Sequence, residues 1–244
     1  MLPVQDVFPS RSTPWATLAL AALISTVLLF EFLLPEPFLR GLILSYGVVP
    51  AHLSWPSLAI FPFLHHGLLD AGVNALALWV FGDNVEDRLG RGRYIALFII
   101  AGALSGLAAA RLAPDTTVPL IGAAGAVGGI IGAHLVLFPA SRVLMLTPVW
   151  RGIDLIEVPA AVVVIFWVIA GGLLTGAFAD PLNDLPLTVP AQASGIVLGA
   201  ATARLLVRRD RMSCAWWNVR TDQLPDRRRT SRETSANSAS SASN

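Results

Sequence analysis

The run that decides the fold reads VPLIGAAGAVGGIIGAHLVLF and extends from Val118 to Phe138. It contains no Asp, Glu, Lys or Arg, and it is long enough to cross a bilayer, which takes about 17–25 mostly apolar residues in a helix. Glycines recur in it at four-residue spacing, as in the pairs Gly125/Gly129 and Gly128/Gly132. Such pairs let two helix backbones approach closely inside a membrane. The pattern therefore predicts a membrane-spanning helix at the centre of a tightly packed bundle.

Composition extends this prediction to the whole chain. Of its 244 residues, 55% are hydrophobic and 14% are charged, whereas soluble domains average about 45–50% apolar and about 25% charged residues. Six runs are long enough to span a bilayer, and such apolar runs must be helical because hydrocarbon offers no water to their backbone groups. The predicted spans are Trp15–Leu34, Ala59–Phe81, Tyr94–Leu112, Val118–Phe138, Val158–Phe178 and Val189–Val207. We therefore predict an all-α membrane protein with a bundle of six transmembrane helices.

The distribution of arginine predicts how the bundle is oriented. All 17 basic residues are arginines, and the six-span arrangement places only Arg40 and Arg111 on one side of the membrane and the rest on the other. Cytoplasmic loops carry an excess of basic residues, so both termini are expected in the cytoplasm. A bacterial inner membrane is the expected location.

Three regions follow from this arrangement. Residues 1–14 are predicted to be a cytoplasmic leader, residues 15–207 the membrane domain, and residues 208–244 a basic cytoplasmic tail that is largely disordered, because it has few apolar residues. Arg208, Arg209 and Arg211 directly follow the last span, where such residues anchor topology and contact anionic lipid; this favours membrane lipid over nucleic acid as the partner. Cys214 is the only cysteine, so no internal disulfide is possible.

Four short patterns occur in a fixed order along the predicted spans. They are His65-x4-Asp70-x3-Asn74 followed by Phe81-Gly82; Glu86-Asp87-Arg88-Leu89-Gly90; Gly122-Ala123-Ala124-Gly125-Ala126; and Ala191-Gln192-Ala193-Ser194-Gly195 with Gly199. This series resembles the motifs of the rhomboid family of intramembrane serine proteases. Those motifs are His-x4-His-x3-Asn, Glu-x-Arg-x-Gly, a serine between the glycines, and Ala-His-x2-Gly-x3-Gly. The resemblance implies a six-helix rhomboid bundle.

The departures from these motifs fall on the positions that carry the family's chemistry. The resemblance places Ala124 at the position of the nucleophilic serine and Gln192 at that of the histidine base. Asp70 and Asn74 stand at the oxyanion-stabilising positions, of which only Asn74 matches the motif. A methyl group cannot attack a carbonyl, an amide does not titrate near neutral pH, and an ionised carboxylate would repel an oxyanion. We therefore expect that no catalytic set is intact.

Other positions of the motifs are expected to support the structure or to line the site. Of the two neighbouring histidines, the resemblance implies that His65 supports the active-site loop. Asp70 is expected to be protonated, or hydrogen-bonded to His66 or to Gln192, in a water-accessible cavity. A role for Asp70 in a proton relay or in transport is a further alternative. The glycines Gly122, Gly125, Gly195 and Gly199 are expected to serve packing. No metal site and no cofactor are predicted, since His134 lies about 15 Å of helix beyond Ala124.

Three functions remain as hypotheses. The leading one is a pseudoprotease that binds transmembrane segments of client membrane proteins without cleaving them. The second is an intramembrane serine-type endopeptidase that acts through a non-standard site, for which the candidate nucleophiles are Ser105, Ser194 and Thr202. The third is a small membrane transporter, although the chain lacks the paired broken spans typical of many transporters.

Overall fold

The computed structural model describes residues 2–6, 13–149, 152–178 and 187–207. The predicted disordered tail, with Cys214, lies outside the described residues. The helices are α1 (Trp15–Leu33), α2 (Glu36–Tyr46), α3 (Trp55–Ile60), α4 (Leu68–Leu89), α5 (Arg91–Leu112), α6 (Ala124–Leu137), α7 (Ala160–Phe178) and α8 (Thr188–Leu206). The strands are β1 (Leu2–Asp6), β2 (Arg142–Val149) and β3 (Gly152–Pro159). The described residues therefore form a mostly helical bundle with one small sheet.

Several predicted spans coincide closely with helices. The bounds of α1, α5, α7 and α8 differ from the prediction by three residues or fewer at each end. Among the described helices, α1 and α5 are long and apolar enough to cross a membrane by length and composition. Two further apolar helical segments are shorter, namely α6 and the Ala160–Gly172 part of α7. The prediction of a helical membrane bundle is confirmed at this level.

Two predicted spans begin later than expected. The run predicted from Ala59 is a short helix and a 3-10 turn, and α4 begins only at Leu68, after Gly67 with a φ of 129°. The run predicted from Val118 is extended at first, and α6 begins at Ala124, two residues after Gly122 with a φ of 115°. A positive φ is readily adopted only by glycine and does not continue a right-handed helix. Hydropathy by itself does not indicate where α4 and α6 begin.

The connection predicted between the second and third spans is also different. The whole of 82–89 belongs to α4, and Gly90 alone separates α4 from α5. Gly90 has a φ of 80°, and its N–H donates to the carbonyl of Glu86 at 2.7 Å. A single left-handed glycine at the C-terminus of a helix reverses the chain without a loop.

Helix α6 lies at the centre of the bundle. Every residue from Ala124 to His134 is buried. It packs most extensively against α8 and also contacts α5 and α4. A Cβ on Gly195 would meet the carbonyl of Gly125, and one on Gly199 would meet the carbonyl of Gly129. The two helices therefore touch backbone to backbone, which the spacing of small residues predicts.

The sheet was not predicted from the sequence. Strand β1 pairs antiparallel with β2, and β2 pairs antiparallel with β3, in the order β1-β2-β3. The predicted leader thus contributes a strand next to the hairpin that joins α6 to α7. The alternation of apolar and polar residues in β1 is brief. The strand that pairs with it lies about 140 positions away, as in the pairing of Leu2 with Leu146. Such distant pairing has no local sequence signal.

A buried polar cluster joins this sheet to the helices. Asp6 Oδ2 accepts hydrogen bonds from Asn84 Nδ2 and from Ser141 Oγ, both at 3.1 Å. His134 Nε2 lies 3.0 Å from Ser141 Oγ and 3.3 Å from Asp6 Oδ2. All four residues are buried. Because both oxygen atoms approach the same ring nitrogen, the cluster cannot transmit a proton through the ring as a catalytic triad does.

Replacing Asp6 with alanine is expected to loosen strand β1. The change leaves Asn84 and Ser141 in a buried site without their shared acceptor, which costs about 1–3 kcal/mol. Amide hydrogen exchange should become faster in β1 and in the facing part of β2. The matched control is Asp154→Ala on β3, whose exposed carboxylate accepts the N–H of Leu155, and exchange in β1 should not change in this variant. Unchanged exchange in Asp6→Ala would contradict the role of the cluster.

Candidate functional site

The site predicted from the motifs centres on the start of α6. The extended segment before it is held by Val48 and Leu120, whose backbones exchange two hydrogen bonds at 2.9 and 2.8 Å. The N–H of Gly122 then donates to the carbonyl of Phe61 at 3.1 Å. These contacts and the left-handed Gly122 place Ala124 as the first residue of α6. Ala124 is 6% exposed.

Gln192 lies on α8, on the side that faces α6. The carbonyl of its neighbour Ala191 is 3.3 Å from a Cβ position on Gly125, and its own carbonyl is 2.8 Å from one on Gly128. The side chain of Gln192 is 1% exposed and lies against Gly171 of α7. Its Oε1 is buried and has no hydrogen-bond partner among the residues that the structure describes. The structure thus brings the neighbours of positions 124 and 192 together and directs the amide toward α7.

Asp70 stands at the middle of the predicted span Ala59–Phe81, but in the structure it lies in the first turn of α4. Its Oδ2 accepts the backbone N–H of His66 at 3.2 Å and lies 3.5 Å from the Nδ1 of the same residue. Since Gly67 has no side chain with which to cap the helix, Asp70 supplies the negative group that a helix N-terminus favours. Of the two predicted partners of Asp70, the structure shows His66, whereas the amide of Gln192 lies against Gly171.

Asn74 is hydrogen-bonded to Asp70. Its Nδ2 donates to the Oδ1 and to the backbone carbonyl of Asp70, both at 2.9 Å. An Asn side chain has two N–H donors, and this pair uses both. The Asp70 carboxylate also lies beside Gly122, at 3.3 Å from a Cβ position there. Asn74 therefore has no N–H left to stabilise an oxyanion in this arrangement.

His65 holds the loop that precedes α4. Its ring Nδ1 lies 3.0 Å from the carbonyl of Phe63, and because a carbonyl only accepts, Nδ1 carries the hydrogen and Nε2 has the free lone pair. Nε2 is buried, and no described residue forms a hydrogen bond with it. The backbone N–H of His65 donates to Glu31 Oε1 at 3.2 Å, with Oε2 at 3.4 Å.

Glu31 is a site residue that the motif comparison overlooked. It lies in the last turns of α1 and is only 4% exposed. An acidic residue within an apolar span is itself a signal of function, and the sequence Phe30-Glu31-Phe32 carries that signal. Glu31 and His65 line a cavity of about 320 Å³ beneath α2.

The candidate nucleophiles are bound to their own helices. Ser105 Oγ donates to the carbonyl of Gly102 at 2.7 Å, and Ser194 Oγ to that of Ala191 at 3.0 Å. Thr202 Oγ1 donates to the carbonyl of Leu198 at 2.8 Å. Ser105 also lies directly beside Gly125. Within the described ranges, no group of three or more His, Cys, Asp or Glu side chains is arranged to hold a metal ion.

Comparison with known proteins identifies the family. Residues 52–209 match the model of the Rhomboid domain, a family of helical integral membrane proteins. The chain belongs to the rhomboid family. It is 37% identical over 87 residues to Rhomboid protein 1, mitochondrial, of Saccharomyces cerevisiae, covering 34% of this chain and 25% of the relative. It is 33% identical over 93 residues to Rhomboid protease GluP of Bacillus subtilis, covering 38% of this chain and 18% of the relative.

The predicted membership of the rhomboid family is thereby confirmed, and with it an integral membrane location. The chain spans a quarter or less of the length of these curated relatives.

Proposed function

We propose that this protein is a rhomboid pseudoprotease, which binds transmembrane segments of other membrane proteins without cleaving them. The observation that carries the proposal is the start of α6. Ala124 offers a methyl group there, and the buried amide of Gln192 lies against Gly171 of α7. Nucleophilic catalysis needs a hydroxyl or thiol within hydrogen-bond reach of a base. Neither partner is present at these two positions.

The pair formed by Asp70 and Asn74 supports the same proposal. An oxyanion hole presents free donors to a developing negative charge. Here the carboxylate and the backbone carbonyl of Asp70 each accept one of the two Nδ2 hydrogen bonds of Asn74. A change at position 124 alone would therefore not restore the family's chemistry. A rhomboid fold that admits a partner's transmembrane segment would, with these residues, hold that segment intact.

Six membrane crossings with both termini in the cytoplasm complete the proposal, and a bacterial inner membrane is the proposed location. Three contacts support a common end of the bundle for both termini. The backbone N–H groups of Ala16 and Thr17 bind Glu86 at the end of α4. Strand β1 pairs with β2, which follows α6. Arg93 at the start of α5 donates to the carbonyl of Leu206 at the end of α8, at 2.8 Å. An even number of crossings between these points keeps both termini on one side, and the excess of arginine favours the cytoplasmic side.

A fluorophosphonate probe tests the loss of catalysis. We expect the full-length protein in liposomes to show no labelling above a heat-denatured sample, because no activated serine is present at the site. An active rhomboid protease reconstituted in the same vesicles should be labelled and serves as the positive control. Labelling of a serine in this chain would contradict the pseudoprotease proposal.

Crosslinking tests the binding role. A photoreactive residue in place of Leu69, which is 62% exposed beside Asp70, should capture discrete membrane-protein partners in cells. The same residue in place of Leu29, which is 61% exposed on α1, is the matched control and should capture mainly lipid. Equal patterns from both positions would contradict a partner site next to Asp70.

One observation favours a second candidate function, an intramembrane serine peptidase. Ser105 lies directly beside Gly125, one residue after Ala124, and is buried. Its hydroxyl is bound to the carbonyl of Gly102 rather than to a base. If the probe labels the protein and Ser105→Ala abolishes the labelling, this second function replaces the first.

A further inference from the structure

The cavity beneath α2 is a separate feature from the start of α6. Its volume of about 320 Å³ lies at the lower end of the range for ligand pockets, about 300–1,000 Å³. It lies between the end of α1, helix α2 and the loop before α4. The lining residues are Leu28, Glu31, Phe32, Leu39, Ile43, His65, His66, Gly67 and Ile121. Most of its wall is apolar, and its polar groups converge at one end.

Those polar groups leave acceptor capacity unused. The carboxylate of Glu31 has about four lone-pair sites, and among the described residues one donor reaches it, the N–H of His65. The Nε2 of His65 is a second acceptor, buried without a partner in the described part of the chain. A carboxylate of this kind within a membrane span is costly unless a cation or further donors compensate it. Glu31 and His65 therefore offer unused acceptors at the polar end of the cavity.

The two carboxylates at the cavity carry charges of the same sign. Glu31 lines it, and Asp70 lies next to it through its contact with His66. No arginine is among the lining residues. An anionic ligand would find no arginine among the lining residues and would lie close to the carboxylates of Glu31 and Asp70. A metal ion would need more side-chain ligands than the described residues bring together here.

From these observations we propose that the cavity binds an alkylammonium group. The ammonium would donate to the carboxylate of Glu31 and to the Nε2 of His65, and its three N–H donors match this set of acceptors. Its alkyl chain would pack against the apolar wall formed by Leu28, Phe32 and Ile43. The group can belong to a free amphipathic amine or to a lysine side chain of a partner. In the second case the inference also rests on the proposed function.

The test uses hexylammonium as the probe and the full-length protein in detergent. Calorimetric titration should show saturable binding of hexylammonium that is at least about tenfold tighter than that of hexanol or hexanoate, which have the same body without the cationic donor. Binding of hexylammonium no tighter than that of hexanol would overturn the proposal.

Two variants separate specific binding from partition into the detergent. Glu31→Gln retains the shape of the side chain but removes its charge, and it should weaken hexylammonium binding at least about tenfold. Ile43→Trp fills the cavity from α2 without changing the contact between Glu31 and His65, and it should abolish binding. Glu36→Gln, an exposed carboxylate on α2, is the matched control and should bind as the wild type does. Full binding by folded Glu31→Gln or by folded Ile43→Trp would overturn the proposal.

A competition experiment distinguishes the two sources of the ammonium. A single-span peptide with a lysine at its end should displace hexylammonium if a partner side chain is the ligand, whereas the same peptide with norleucine should not. If hexylammonium binds and neither peptide displaces it, the ligand is a free amine and the alkylammonium site stands. Failure of the crosslinking experiment at position 69 would reject the proposed function without affecting this result.

Discussion

Gly199→Val is expected to prevent the bundle from packing and to give the largest loss of stability among single substitutions at the glycines of α6 and α8. A Cβ at this position would meet the carbonyl oxygen of Gly129 and lie 2.7 and 2.9 Å from its carbonyl carbon and Cα. The obstacle is backbone, so no side chain can move aside. Overpacking costs about 1–3 kcal/mol and more where the neighbour cannot move, and we expect about 3 kcal/mol or more here. Thermal unfolding in detergent measures this loss.

The same structure supplies the control for this prediction. A Cβ on Gly72, in the exposed part of α4, would meet nothing within 4 Å. Gly72→Ala should therefore leave the midpoint unchanged or raise it slightly, because alanine favours the helix over glycine by about 1 kcal/mol. If Gly199→Val and Gly72→Ala unfold at the same temperature, the interpretation that α6 and α8 are in close backbone contact is wrong.

Glu86→Ala is expected to produce a loss of comparable size at the other end of the bundle. The buried carboxylate of Glu86 accepts the N–H of Ala16 at 3.0 Å and the N–H and hydroxyl of Thr17 at 2.8 and 2.9 Å. The first N–H groups of a helix have no partner within the helix, and α1 has no side-chain cap of its own. Glu86 supplies that missing acceptor. Removing a charged acceptor and leaving buried donors unpaired costs about 3 kcal/mol. Chemical unfolding followed by tryptophan fluorescence measures the change.

The expected consequence is specific to the position of Glu86. Glu36→Ala removes an equal charge from the exposed surface of α2 and should change the free energy of unfolding by no more than about 0.5 kcal/mol. Hydrogen exchange in Glu86→Ala should rise first at the start of α1. A uniform rise over all helices would contradict the interpretation of Glu86 as the cap of α1.

These two predictions concern motif positions that have a structural role rather than a chemical one. Glu86 and Gly90 join α4 to α1 and α5, and Gly199 lets α8 touch α6. Each of these roles is structural and does not depend on the residue at position 124. The motifs that identify the family therefore describe its packing as well as its catalysis.

Apolar length and the spacing of small residues determined much from the sequence alone. Helices α1, α5, α7 and α8 lie close to the predicted spans, because a run of apolar residues is a local property. The family is likewise visible in the order of short motifs. The same motifs carry the prediction that Ala124, Gln192 and Asp70 stand at substituted positions.

Only the tertiary structure decided the polar contacts between distant parts of the chain. Glu31 and His65 are 34 residues apart, and Asp6 and Ser141 are 135 apart. No periodicity links such positions, so neither the cavity beneath α2 nor the buried cluster at β1 was predicted. The start of α6 was missed for a related reason. Its boundary depends on the left-handed Gly122 and on backbone hydrogen bonds to other segments, whereas hydropathy registers only that the whole run is apolar.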